Sequence, residues 1–342
     1  MKVVTLGELM LRLSPPNYDR LTQACTFETT FGGSEANVAA MLAQLGLDAT
    51  FVTRLPENPI GDAAMAHLRR HGIRTDHIQR GGARIGIYFL EHGASQRPSQ
   101  VVYDRTGSAF SEMDPAAVDW EAVLAGVQWF HVSGITPALG PRAAQLTRIA
   151  CQTAKAVGAT VSCDLNYRKK LWSVAEAQRV MKPLMELVDV CIANEEDAWR
   201  CLGMRAEGAD IEGGHLDEDG YAALAYQLKR EFDFRVVAIT LRESFSASIN
   251  AWSAIMLDEE DCQTPYRSRR YEIQVVDRVG TGDAFAGGLV AGRITKKDTR
   301  QALEFAVAAS CLAHTFKGDV NLATRVEVEQ LAGGTGSGRV ER

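Results

Sequence analysis

The residues best equipped for chemistry lie in one short string, Asp277-Arg278-Val279-Gly280-Thr281-Gly282-Asp283. The segment before it, YEIQVV, suits a strand, and the small and apolar residues after it suit a closely packed helix. Gly280, Thr281 and Gly282 then stand at a helix N-terminus. Backbone N–H groups there lack intrahelical partners, and the helix dipole adds partial positive charge. Such a terminus binds anions, most often phosphate. Two readings of Asp283 stay open. An acidic residue in a first helical turn stabilises the dipole. A carboxylate beside an anion hole can also accept a hydroxyl proton while the hole holds a transferring phosphoryl group. Gly287, Gly288 and Gly292 would each cost up to ~1 kcal/mol in a helix interior, so they imply close approach of a backbone or ligand. The string is not a P-loop, because no G-x-x-x-x-G-K-[ST] occurs in the chain. It also fails the dinucleotide fingerprint, since it does not follow the first strand.

These residues need a frame, and the chain supplies alternating strands and helices. Candidate strands are 3–7, 49–55, 127–134, 160–166, 188–194 and 235–241. Val38, Leu42 and Leu45 fall at helical spacing, and Gly46 can end that helix. Alternation of this kind predicts βαβ units and a mainly parallel sheet covered on both faces. Several strands end in polar or small residues: Glu8, Ser133, Asp164, Asn166, Asn194, Thr240 and Arg242. In open parallel sheets ligands bind outside the strands' carboxyl ends; each residue alone is also an ordinary turn or cap. Segments 11–32 and 81–107 read as extended hairpins that form a small β lid. The lid divides the main domain into 1–10, 33–80 and 108–332. Acidic, glycine-rich 206–220 reads as a solvent loop, and 333–342 as a flexible tail.

Composition narrows the function classes. At 342 residues, with 46% apolar and 23% charged residues, the chain is an ordinary globular protein. A net charge of −6 argues against nucleic acid as a partner. Seven scattered cysteines without a C-x-x-C pair read as free thiols in a reducing cytoplasm rather than disulfides or a zinc site. The N-terminal apolar run is interrupted by Glu8 and is too short for a signal peptide or membrane span.

DRVGTGDAFAGG (277–288) resembles the C-terminal signature of the PfkB/ribokinase family, and FGGSEANVAAMLAQLG (31–46) its N-terminal one. The resemblance spans nearly the whole chain. It implies a ribokinase-like three-layer α/β/α sandwich with a β lid, and transfer of the ATP γ-phosphoryl group to a sugar hydroxyl. Asp283 would be the base, and Gly280, Thr281 and Gly282 the anion hole. Gly33 and Asn37 would line the sugar pocket. Asn194-Glu195-Glu196-Asp197 resembles the family's N-x-x-E motif linked to Mg2+, with Asp197 where Glu is usual, so Asp197 would act through water. An acidic first helical turn is the other reading of that string. Thr240 and Arg242 would meet the nucleotide, or Arg242 would pair with Glu243. The resemblance also allows a monovalent cation such as K+ near Asp277.

The substrate argument rests on D-x-N-x-R-x-x-L-W from Asp164, which resembles 2-keto-3-deoxygluconate kinases, and on Tyr103-Asp104-Arg105 at the end of the second lid segment. An arginine fork matches a carboxylate, which a neutral sugar does not require. Arg105 is assigned to the sugar acid, with Tyr103 beside it; Arg168 reaches the acid or an ATP phosphate. Tyr88 either reaches the pocket or is a cross-strand lid aromatic. Asp319 either contacts substrate or is a loop residue after Gly318. The expected reaction is phosphorylation of 2-keto-3-deoxygluconate at its 6-hydroxyl. The alternatives are a fructokinase or other keto-sugar kinase, or a catalytically silent binder. The lid residues Ile85, Ile87, Phe89, Val101 and Tyr103 would offer an apolar face for a homo-oligomer.

Overall fold

The computed structural model describes residues 1–205, 218–259, 264–295 and 298–334. Six strands run parallel in the spatial order Asp48–Val52, Lys2–Leu6, Trp129–Ser133, Thr160–Asp164, Val190–Ala193 and Val236–Ser244. Antiparallel Ile249–Leu257 follows, and it pairs with Tyr266–Arg267 and Tyr271–Gln274 to complete nine strands. Successive strand residues point to opposite faces, and both faces are buried. Val4, Leu6 and Val161 pack with Leu146, Met181 and Leu228 of helices Pro141–Ala156, Val174–Met185 and Glu218–Phe232. Val3, Phe51 and Ile192 pack with Met41, Leu289 and Val307 of helices Ser34–Gln44, Thr281–Thr295 and Thr299–Ala313. This is the expected α/β/α sandwich. Double coverage explains why the inner strands are continuously apolar.

A separate four-stranded sheet has the order Glu28–Gly32, Met10–Ser14, Gly86–Glu91, Gln100–Asp104. Its two central strands are parallel and its outer pairs antiparallel. Tyr88 lies opposite Tyr103 and Leu90 opposite Val101, while Phe89 lies opposite Val102. Directly opposed residues share a face. Met10, Tyr88 and Leu90 therefore pack with Val101, Tyr103 and Val279 toward the main domain. Ile87 and Phe89 lie on the other face, so the expected single apolar face divides in two.

Three further expectations change. The segment read as one strand over 49–55 breaks after Val52, and Arg54–Leu55 pairs instead with Gln79–Arg80. Residues 218–220 open a helix rather than closing a loop; 206–217, and 335–342 of the tail, lie outside the described residues. Strand Ile249–Leu257 has no counterpart in the sequence reading. Gly287, Gly288 and Gly292 of helix Thr281–Thr295 serve helix packing. A Cβ on Gly287 would sit 2.9 Å from Met41, and one on Gly288 2.9 Å from Ala309.

Candidate active site

The parallel strands end at a cleft of about 720 Å³ roofed by the small sheet. Gly33, Asn37, Tyr88, Tyr103, Arg105, Arg168, Asn194, Asp197, Thr240, Arg242, Gly280, Thr281, Gly282, Asp283 and Asp319 all line it. Their convergence follows from topology, since the carboxyl ends of parallel strands share one edge of the sheet.

Helix Thr281–Thr295 starts at the cleft floor. The turn before it needs glycine at 280, where φ is +81° and a Cβ would collide with the carbonyl oxygen of Asp319. Asp283 follows in the first turn, buried, with both oxygens held. Oδ1 accepts from Ser34 Oγ at 2.6 Å and Oδ2 from Asn37 Nδ2 at 2.7 Å. Ser34 Oγ accepts in turn from Asn166 Nδ2 at 3.2 Å, and Asn166 has φ +40°. Burial raises the Asp283 carboxyl above its ordinary range, while the Ser34 and Asn37 hydrogen bonds and the nearby Arg168 charge oppose that rise.

Three carboxylates and Arg168 share this end of the cleft. Asp164, at the end of its strand, is pushed well above the carboxylate range by burial, then by the charges of Asp197 and Asp283; Arg168 works against the shift. Asp197 Oδ1 accepts from Tyr167 N at 3.0 Å, and Oδ2 accepts from Asn194 Nδ2 at 2.8 Å. Asn194 also caps helix Glu195–Leu202, accepting from Asp197 N at 2.8 Å. The Asn194–Asp197 pair thus clasps the Tyr167 loop to that helix. Among the described residues no group of three or more His, Cys, Asp or Glu could hold a metal by itself. The Asp164 and Asp197 carboxylates, close enough for their charges to repel, are oxygen donors that fit a divalent cation such as Mg2+.

At the roof, Arg105 Nε donates to Glu8 Oε2 at 2.8 Å and Nη2 also pairs with that oxygen; Tyr103 lies beside it, 5.5 Å from ring centre to guanidinium. Glu8 Oε1 is buried without a partner in the structure. Tyr88 joins the lid sheet to the cleft. It opposes Tyr103 across the strands, lines the cleft, and donates its hydroxyl to Asp319. Thr240 Oγ1 donates to Ala193 O at 3.4 Å. Arg242 stacks 4.8 Å over Trp252, and Glu243 pairs with Arg270 rather than with Arg242.

Asp319 and Asp277 share a buried guanidinium, Arg12. Its Nη1 donates to Asp319 Oδ2 at 2.8 Å and its Nη2 to Asp277 Oδ2 at 2.5 Å. Asp277 Oδ1 accepts from Val279 N at 3.1 Å, and Oδ2 also accepts from Gly318 N at 3.2 Å. A monovalent cation on the Asp277 carboxylate does not fit this arrangement, because both oxygens are engaged and the positive charge is already there.

Residues 1–324 match the family described as pfkB family carbohydrate kinase. The chain belongs to the pfkB carbohydrate kinases. Among solved structures, a 2-dehydro-3-deoxygluconokinase from Thermotoga maritima superposes with TM-score 0.93 at 54% identity, covering 97% of this chain and 99% of that one. A curated relative from Haloferax volcanii, named 2-dehydro-3-deoxygalactonokinase, is 35% identical over 98% of both chains. An Escherichia coli structure described as ribokinase II in complex with ATP and Mg2+ shares the fold at TM-score 0.79 and 20% identity, covering 96% of this chain and 98% of that one. Within this pfkB kinase, sequence reading placed Glu8, Asp164 and Asn166 at strand ends without assigning them a role, and did not nominate Ser34, Arg278 or Arg12. Ser34 and Arg278 lie in strings already singled out, so their neighbourhood was the available signal. Arg12 carried none.

Proposed function

We propose that this sugar kinase transfers the γ-phosphoryl group of ATP to the 6-hydroxyl of 2-keto-3-deoxygluconate, giving 2-keto-3-deoxy-6-phosphogluconate and ADP. The observation that carries it is the Asp283 carboxylate at the mouth of an anion-binding helix, in one cleft with Arg105 and Arg168. The Thermotoga relative at 54% identity supports the choice of acid. The Haloferax relative makes the deoxygalactonate epimer a second reading. A neutral keto-sugar such as fructose stands behind both, since it gives Arg105 no carboxylate to bind.

Ser34 and Asn37 hold Asp283 with its charge aimed at the cleft, so the substrate hydroxyl loses its proton to this carboxylate as it attacks. The new bond joins sugar oxygen to Pγ; the bond from Pγ to the β,γ-bridging oxygen breaks, and ADP leaves. Backbone N–H groups at Gly280–Gly282 meet the charge that develops on the phosphoryl oxygens. The Arg168 charge acts on both Asp283 and Asp164 and would neutralise the same region. Asp164, and Asp197 through water, would hold Mg2+, which supplies charge neutralisation between the phosphates when bound. Thr240 and Arg242 would border the nucleotide. Arg105 would present its remaining N–H edge to the sugar carboxylate, with Tyr88, Tyr103, Gly33, Asn37 and Asp319 shaping the pocket.

Segments 11–32 and 81–107 would act as a lid that excludes water and limits ATP hydrolysis. Its half-exposed Val102, exposed Phe27 and outer strands that pair with no further strand among the described residues suit pairing with a second copy. No described helix is long and apolar enough to cross a membrane. The test is a coupled ADP-release assay with ATP and Mg2+ on 2-keto-3-deoxygluconate, its galactonate epimer, fructose, ribose and gluconate. Preference for a keto-deoxy acid is expected. Preferred turnover of fructose or ribose would remove the carboxylate argument, and no turnover of any sugar would favour a silent binder.

A further inference from the structure

Arg12 is the largest of the fully buried side chains, 2% exposed, on a strand of the small sheet. Four interactions use its donors. Besides Asp277 and Asp319, Nε donates to Ser14 Oγ at 2.9 Å and Nη2 meets His92 Nε2 at 3.2 Å. A guanidinium only donates, so His92 Nε2 is the acceptor and that imidazole is neutral. Burial alone would lower the Arg12 pKa, yet Asp319 and Asp277 raise it overall, so the charge is fixed.

The two carboxylates sit on either side of the turn that enters the anion-binding helix. Asp277 Oδ1 receives the Val279 N–H, and Gly280 packs against the backbone of Asp319. Val279 in turn packs under Met10, Tyr88 and Leu90 of the small sheet. Without a cation between them, two buried carboxylates would repel across that turn. An exchangeable monovalent ion is one way to hold such a pair. This chain carries a covalent one.

We propose that Arg12 is the resident cation of the anion-hole turn: it takes the place of an exchangeable monovalent cation and fastens the small sheet to the residues that set the helix N-terminus. Arg12 is a positioning residue, acting through Asp277, Asp319 and Gly280 rather than on substrate. The kinase therefore needs no K+. The activity arm of the test rests on the proposed reaction; the thermal arm does not.

The experiment compares the full-length chain in KCl, NaCl and tetramethylammonium chloride at equal ionic strength, reading kcat, KM for sugar and ATP, and Tm. For the unaltered protein all of these are expected to be equal across the salts. Arg12→Ala is expected to lose at least ~10-fold in kcat, as a displaced anion hole would, with smaller changes in KM. Added methylguanidinium should restore part of the kcat in Arg12→Ala and leave the unaltered protein unchanged. Where Arg12→Ala does not fold, Arg12→Lys decides the point, because it keeps the charge but cannot span both carboxylates, and kcat should still fall. A rise of several-fold in kcat, or a clear rise in Tm, when K+ replaces tetramethylammonium in the unaltered protein would overturn the proposal. So would an Arg12→Ala or Arg12→Lys protein with unaltered kcat. If no sugar is turned over, the proposed reaction fails, while Tm of the unaltered protein across the three salts still decides the role of Arg12.

Discussion

Replacing Asp283 by Asn separates catalysis from stability at a single atom. Asparagine keeps the shape, can accept from Asn37 Nδ2 through its carbonyl oxygen, and can donate from its amide to Ser34 Oγ. The geometry at 2.6 and 2.7 Å is therefore largely retained, but the proton acceptor is gone. A positioned base contributes ~10²–10⁴ in rate, about 3–5 kcal/mol of barrier. Steady-state assays should show kcat lower by that factor with KM for sugar and ATP little changed. Stability should move the other way. Burial raises the folded-state pKa of Asp283, so its ionisation disfavours the folded state once the pH exceeds the unfolded carboxyl's range. Asp283→Asn removes that penalty at neutral pH. Its Tm should equal or exceed that of the unaltered protein at pH 7, and the difference should shrink as pH falls through the carboxylate range. A loss of less than tenfold in kcat would refute the base assignment. A lower Tm at pH 7 would refute the argument that burial outweighs the two hydrogen bonds.

Ser34→Ala deletes a hydrogen bond that lowers the Asp283 pKa, so the acid limb of the pH–kcat/KM profile should move to higher pH. Arg105→Ala removes a charge-assisted contact of ~1.5–3 kcal/mol; KM for the keto-deoxy acid should rise roughly 10- to 100-fold, with little effect on any neutral ketose. Gly280→Ala forces a left-handed backbone onto a residue with a Cβ, at least ~1–2 kcal/mol, besides the collision with Asp319. Thermal unfolding should register the lost stability, and kcat should fall with it.

The sequence made the frame legible because period and composition act locally. Continuous apolar strands and the Val38–Leu42–Leu45 spacing specify elements without knowledge of their neighbours, and parallel topology then gathers the strand ends at one edge. The site string at 277–283 was legible for the same reason, since a glycine turn, a helix start and an acid are all local. Strand Ile249–Leu257 was missed because it is antiparallel and joins the sheet after the βαβ rhythm ends. Arg12 was hidden for a stronger reason. Along Met10–Ser14 the alternation of apolar Leu11 and Leu13 with polar Arg12 and Ser14 suggests that the leucines face inward. The burial runs the opposite way, with Met10, Arg12 and Ser14 inside. Strand patterning ranks side chains by their transfer from water, and a charged group is then assigned to solvent. That ranking reverses only when enough partners converge on the charge. Here they come from Asp277, Asp319 and His92, far away in sequence. Local pattern can locate a base and its anion hole, but it cannot reveal a buried cation whose stability depends on contacts made only after the chain has folded.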